Sequence, residues 1–216
     1  MTLYGVGLGP GDPGLVTVKG SRILEEATAV FAPGDLAERL ASPYADSIEQ
    51  LDFPMTEDQT ALEAAWADAA KTVAPLAREG TVAFATVGDP TVYSTFGHLE
   101  NALRGYPEVE IRTVPGVSVV TAFTTAMDAR IDESTLAIRE AKAGIPDRTP
   151  DQMLLLKVTD VPEIHADLTE AGYDVTFGRR LFMDEPTITT DPTALRGSDY
   201  FTVAYAEQST AGEVHR

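Results

Sequence analysis

The chain has 216 residues, 44% of them hydrophobic, which is enough for one large domain or two small ones with a real core. Its 34 acidic residues against 16 basic ones leave a net charge of −18, and that argues against a nucleic-acid partner, which needs a basic face. Cysteine is absent, so disulfides, thiolate metal sites and cysteine nucleophiles are excluded, and no apolar run approaches the roughly 18–20 residues of a membrane span.

The N-terminus, Met1-Thr2-Leu3-Tyr4-Gly5, lacks a basic segment followed by an apolar one, so a cytoplasmic location is expected. Only Lys19, Lys71, Lys142 and Lys157 supply ammonium groups, and the carboxylates are spread along the whole chain. A dispersed acidic surface repels itself unless salt shortens the Debye length to about 3 Å at 1 M, so a halophilic, salt-rich setting is a further expectation.

Residues 3–8 read as a strand running into a glycine loop. Residues 17–28 read as a helix whose apolar face is Val18, Ile23, Leu24 and Ala27. A short strand over 28–31 closes at Pro33-Gly34. Residues 58–79 form an alanine-rich helix that stops at Gly80, with Pro75 expected to kink or divide it. A strand over 81–87 enters Gly88-Asp89-Pro90, and a helix is expected over 91–103. A strand over 109–114 ends at Pro115-Gly116, followed by a helix over 118–127. Alternation of this kind predicts an α/β domain with a mostly parallel sheet.

The texture then changes. Strands are expected over 134–139, 152–158, 174–183 and 198–207, with one helix over 161–171. Residues 140–151, rich in Pro, Gly and charge, read as an exposed loop. The division falls at 1–115 and 116–216.

Three loops follow three predicted strands: Gly5-Val6-Gly7-Leu8-Gly9-Pro10-Gly11-Asp12, Gly88-Asp89-Pro90, and Pro115-Gly116-Val117-Ser118. Ligands of open α/β sheets bind beyond the carboxyl ends of the strands, so the three outline one pocket. A dinucleotide fingerprint begun at Gly5 meets Pro10 at its third glycine position, and one begun at Gly7 meets Asp12. The Gly-Lys-Ser or Gly-Lys-Thr of a phosphate loop is missing.

Taken together and in this order, Gly-Val-Gly-Leu-Gly-Pro-Gly-Asp, Gly-Asp-Pro-Thr-Val-Tyr and Val-Pro-Gly-Val-Ser resemble the tetrapyrrole (corrin/porphyrin) methyltransferase family. The likeness covers nearly the whole chain, including Val-Lys-Gly-Ser-Arg-Ile-Leu-Glu-Glu-Ala after the first loop and Leu-Leu-Leu-Lys-Val at 154–158. Within the family, Gly88 to Phe96 and Asp52-Phe53-Pro54-Met55 are similar to the branch that methylates C20 of precorrin-2 or cobalt-factor II in cobalamin synthesis.

The resemblance implies two α/β domains with S-adenosylmethionine (SAM) in the cleft between them, a tetrapyrrole substrate, and commonly a homodimer. Its SAM contacts carry over to Pro10, Val87, Gly88, Asp89, Val92, Ser118 and Val119, with Leu156 where many relatives have methionine. Relatives acting on another ring carbon, a diphthine synthase, a ribosomal RNA methyltransferase and a non-catalytic SAM or tetrapyrrole binder are the competing functions. The acidic surface disfavours RNA, and the intact Gly-Pro-Gly-Asp loop disfavours the diphthine branch.

Methyl transfer from a sulfonium releases a neutral leaving group, so it needs no acid. It needs the sulfonium and the attacking carbon held about 3–3.5 Å apart and aligned. Asp12 and Asp89 are the catalytic candidates. Asp12 has a polar role at the reacting ring or caps a helix begun near Pro13; Asp89 holds SAM, orients the ring, or caps a helix begun at Pro90. Tyr93, one turn into that expected helix, lines the substrate face or packs in the core. His98 reads as solvated or core, Trp66 as core, and Arg104 and Arg112 as surface ion-pair partners or as contacts for substrate carboxylates. With only His98, His165 and His215 in the chain, a histidine metal site is not expected.

Overall fold

The computed structural model describes residues 1–54, 56 and 58–209; Met55 of the Asp52–Met55 motif and His215 lie outside them. The chain divides into two compact units, Met1–Val119 and Val120–Arg216.

The first unit carries β1 (Thr2–Gly7), α1 (Val18–Glu26), β2 (Ala29–Ala32), α2 (Asp35–Ala41), β3 (Glu49–Gln50), α3 (Gln59–Glu79), β4 (Thr81–Thr86), α4 (Phe96–Ala102) and β5 (Glu110–Val114). The strands form one parallel sheet in the order β3-β2-β4-β1-β5. Alternation along the strands divides the core between the two faces. Val6, Val30, Ala83 and Ala85 pack with Leu24 of α1 and Leu40 of α2, whereas Leu3, Phe31, Val82 and Phe84 pack with Trp66 and Val73 of α3 and Leu99 of α4.

Helix ends follow local chemistry. Thr17 caps α1 by accepting from the Gly20 amide, Asp58 caps α3 through Thr60 and Ala61, and Gly80 closes α3. Pro75 does not divide α3, which runs unbroken for 21 residues. Pro75 lies on the exposed side, so the Lys71 carbonyl that it leaves without an amide partner can take water. Val18, expected on the apolar face of α1, is instead 69% exposed; it is the first helical residue, ahead of the buried turn that holds Gly20 and Leu24. Sequence reading assigned no element to 35–41 or 49–50, where α2 and β3 form.

The second unit holds β6 (Leu136–Glu140), β7 (Gln152–Leu156), α6 (Val161–Glu170), β8 (Tyr173–Arg179), β9 (Thr187–Thr189) and β10 (Thr202–Gln208), with α5 (Val119–Ala126) beginning at the division. The sheet order is β6-β7-β10-β8-β9; β6 and β7 are parallel and the other pairs antiparallel. All five residues of β7 are buried, the signature of a central strand covered on both sides. Met153 and Leu155 join Val175, Phe177 and Ala204 under Val161 and Leu168 of α6. Asp160 caps α6 by accepting from the Glu163 amide. The 140–151 stretch is less exposed than its composition suggested: Ala141 and Pro150 are buried, and Ala141–Ala143 form a 3-10 turn.

Candidate functional site

The sheet order of the first unit fixes where its three loops meet. From β1 the chain crosses through α1 to β2, beyond β4. From β4 it crosses through α4 to β5, beyond β1. Neighbouring strands whose connections leave in opposite directions define a switch point, and a crevice opens beyond their carboxyl ends. The loops after β1, β4 and β5 all start there.

Backbone contacts lock them together. Gly9 donates to the Gly88 carbonyl at 3.2 Å, and Gly88 donates to the Gly9 carbonyl at 2.7 Å. Leu8 donates to the Thr86 carbonyl at 2.8 Å. A Cβ on Gly7 would stand 2.5 Å from the Gly116 amide nitrogen, and one on Gly116 would collide with the Gly88 carbonyl. The loops therefore touch through bare backbone, which only glycine permits. Gly88 also has φ +74°.

The predicted residues sit as follows. Pro10 and Gly88 are buried; Val87, Asp89, Val92, Ser118 and Val119 are half-buried. The Val119 Cγ1 lies 3.2 Å from where a Gly88 Cβ would stand, so the second and third loops pack against each other. Leu156 is the buried last residue of β7, in the second unit.

Asp12 caps a turn, but a 3-10 turn, Pro13–Leu15, and not α1: its Oδ1 accepts from the Gly14 amide at 2.8 Å. The Tyr44 hydroxyl, which sequence reading did not single out, holds the same turn by donating to the Pro13 carbonyl at 2.9 Å. A further frame, Gly9-Pro10-Gly11-Asp12-Pro13-Gly14, does match the dinucleotide spacing, yet it opens into this 3-10 turn and not into the helix that would receive a pyrophosphate.

The helix expected over 91–103 is only Phe96–Ala102, extended by a 3-10 turn at Leu103–Gly105. Asp89 therefore caps no helix. Its Oδ1 accepts from the Thr91 amide at 2.9 Å and from the Thr91 hydroxyl at 2.5 Å, and its Oδ2 accepts from the Gly116 amide at 3.2 Å. Ser94 bonds Thr86 through their hydroxyls at 3.0 Å and accepts from the Phe96 amide. These bonds offer the backbone an alternative to a helical turn. Tyr93 consequently lies on a loop, not on a helix, with φ +49° and 47% exposure.

Other candidates settle elsewhere. His98 is exposed and stacks on Trp66, with ring centroids 5.1 Å apart; Trp66, buried, stacks on Phe53 at 3.8 Å. Arg112 donates through Nε and Nη2 to Glu110, which makes it a surface ion pair. Arg104 sits exposed in the 3-10 turn after α4. Among the described residues no group of three or more His, Asp or Glu could hold a metal ion, and no helix is long and apolar enough to cross a membrane.

The loops carry backbone carbonyls and amides, the carboxylates of Asp12 and Asp89, both engaged in loop contacts, and the half-buried side chains of Val87, Val92 and Val119.

A protein of Methanocaldococcus jannaschii described as a probable cobalt-precorrin-2 C(20)-methyltransferase is 35% identical over 139 residues, 61% of this chain and 59% of that protein. The cobalt-precorrin-2 C(20)-methyltransferase of Salmonella typhimurium is 31% identical over 188 residues, 79% of this chain and 78% of its own. The match to the Mycobacterium tuberculosis cobalamin biosynthesis protein CobIJ is 40% identical but spans only 28% of that protein. The chain spans 59% of the Methanocaldococcus jannaschii protein and 28% of the mycobacterial one, under two thirds of each of these first relatives. Among solved structures, the uroporphyrin-III-C-methyltransferase of Thermus thermophilus superposes with a TM-score of 0.73 at 21% identity, over 96% of this chain and 92% of that one. The profile of the tetrapyrrole (corrin/porphyrin) methylases matches residues 2–194, nearly the full chain, and the protein belongs to that family.

Proposed function

We propose that the protein is a SAM-dependent methyltransferase that methylates C20 of precorrin-2 or cobalt-factor II in cobalamin biosynthesis. The observation that carries this is the 31% identity to a cobalt-precorrin-2 C(20)-methyltransferase over almost four fifths of both chains. The interlocked loops beyond β1, β4 and β5 support it, because they form a backbone cradle at the switch point of the sheet.

The cradle suits SAM in kind: backbone polar groups for its hydrogen-bonding ends, valine side chains for its apolar parts, and nearby carboxylates for its cation. When bound, SAM supplies a methyl group on a sulfonium, and the sulfur keeps the C–S electron pair and leaves neutral. Pro10, Val87, Gly88, Asp89, Val92, Ser118 and Val119 are proposed to hold it, with Leu156 a further contact through its backbone. Tyr93 is proposed to line the substrate. The ring carbon forms the new C–C bond and gives up its proton, and Asp12 is proposed to act on the macrocycle at that stage. Asp89 is proposed to serve the SAM side of the site, through the loops it ties. Homodimeric assembly and a cytoplasmic location are part of the same proposal.

A second reading has an observation of its own. The cobalt-precorrin-4 C(11)-methyltransferase of Priestia megaterium is 30% identical over 69% of this chain, so methylation of another ring carbon is the alternative. Turnover assays with SAM on the dimethylated macrocycle, with and without cobalt, decide between them when the product carbon is located by NMR. Methylation at C20 is expected on one of the two forms. Methylation elsewhere selects the alternative, and SAM binding without turnover on either form makes the protein a non-catalytic binder. Sedimentation then reads the expected dimer.

A further inference from the structure

The third loop begins with the Pro115–Gly116 peptide, and both polar ends of that single peptide group are gripped by side chains from the other two loop regions. Its N–H donates to Asp89 Oδ2 at 3.2 Å. Its carbonyl accepts from the Thr17 hydroxyl at 3.4 Å. Thr17 lies at the start of α1, where its Oγ1 also accepts from the Gly20 amide at 3.1 Å. Asp89 lies in the loop after β4, where its other oxygen is fixed by Thr91.

A peptide group is planar, so bonds to its N–H from one side and to its C=O from the other both oppose rotation about the chain axis. The same place is packed without slack, since a Cβ on Gly116 would strike the Gly88 carbonyl. Ser118 and Val119 follow within three residues.

We propose that Thr17 and Asp89 are positioning residues that clamp the Pro115–Gly116 peptide and thereby set the third loop to receive the methyl donor. This rests on the reading of the site as a SAM site. Asp89 acts by accepting hydrogen bonds, so no proton transfer is asked of it. Of the two bonds, the one to the carboxylate is charge-assisted and shorter, so Asp89 dominates.

The test uses S-adenosylhomocysteine as the probe. Its affinity is measured by calorimetry alongside amide exchange at Gly116, well below the melting temperature of each variant. Asp89→Ala is expected to speed exchange at Gly116 and weaken the affinity about tenfold. Asp89→Asn, which can serve Thr91 or Gly116 but supplies one acceptor oxygen instead of two, is expected to fall between Asp89→Ala and the wild type. Thr17→Val removes the hydroxyl and is expected to weaken affinity about threefold, while Thr17→Ser keeps the donor and restores it. Because Thr17→Val also uncaps α1, the serine variant separates the clamp from simple loss of stability. Unchanged affinity in a folded Asp89→Ala protein whose Gly116 amide has lost protection overturns the clamp and leaves the SAM reading standing. A wild-type protein that does not bind the probe at all overturns the SAM reading, and the proposal with it.

Discussion

Gly9 and Gly88 exchange two backbone hydrogen bonds, 3.2 and 2.7 Å long, and so join the loop after β1 to the loop after β4 as an isolated antiparallel bridge. The bridge requires Gly88 to keep φ +74°, a conformation that costs an L-residue about 1–2 kcal/mol. Gly88→Val would carry that strain. Its Cβ would also stand 3.2 Å from Val119 Cγ1.

Two substitutions separate strain from obstruction. Gly88→Ala should lower stability by about 1–2 kcal/mol, whereas Gly88→Asn, which tolerates the left-handed region, should cost less. Both put atoms into the cradle, so both should bind S-adenosylhomocysteine more weakly than the wild type. Thermal melts and calorimetry on the pair check this; wild-type affinity in the folded Asn variant would remove Gly88 from the ligand's surroundings.

Trp66, the single tryptophan of the chain, stacks on the rings of both Phe53 and His98. Its truncation removes a buried ring that stacks on half-buried Phe53 and exposed His98. Trp66→Ala should cost about 3–5 kcal/mol in urea unfolding followed by circular dichroism, and Trp66→Phe clearly less.

The glycine and proline loops could be read from sequence because they punctuate strands whose apolar runs are unambiguous. The segment between Pro90 and Phe96 could not. Thr-Val-Tyr-Ser-Thr is made of weak helix formers, and its polar side chains divert it: Asp89 bonds Thr91 two residues on, a local turn, while Ser94 bonds Thr86 eight residues back, a contact visible only in three dimensions. The same holds for Thr17 and Tyr44, whose partners are 98 and 31 residues away in the chain. Helix α2 is a matter of length: seven residues give less than two turns over which to establish a period.

In the second unit, Glu140 at the end of β6 accepts from Lys157 Nζ at 2.5 Å and Lys142 Nζ at 3.2 Å, so half of the chain's lysines converge on one carboxylate. Burial pushes the Glu140 carboxyl up, but the two ammonium groups outweigh it and hold it below the usual 4.5. A depressed folded value means that the stabilisation is present above the unfolded pKa and is lost as pH falls through the folded one. Wild-type stability should therefore drop in the acid range below 4.5, and Glu140→Gln should show a shallower drop there. Melting temperatures from about pH 6 to about pH 3 provide the measurement; parallel curves for the two proteins would deny the pair its role.

The net charge of −18 leads to a salt prediction. Raising sodium chloride from low concentration to about 1 M, where the Debye length is about 3 Å, should raise the melting temperature by screening self-repulsion. A protein equally stable without salt would be an ordinary acidic protein and not a halophilic one.

Asp12 has two possible roles, and the structure shows how to part them. Its Oδ1 caps the Pro13–Leu15 turn through Gly14, and the Tyr44 hydroxyl secures that turn independently. Loss of the cap alone should therefore leave the loop in place. If Asp12 only caps, Asp12→Asn keeps both the cap and the activity, since asparagine caps about as well as aspartate. Asp12→Ala then costs about 1 kcal/mol and little rate. If the carboxylate acts on the macrocycle, Asp12→Asn should lose about 10²–10⁴-fold in turnover while the turn and S-adenosylhomocysteine binding persist. The rate loss is the expected outcome, because Asp12 is exposed at the end of the first loop and its cap uses only one carboxylate oxygen. The second oxygen remains to receive a proton or to orient a ring. Full turnover in Asp12→Asn at saturating SAM and macrocycle would reduce Asp12 to a cap. The reaction would then depend on alignment by the three loops alone.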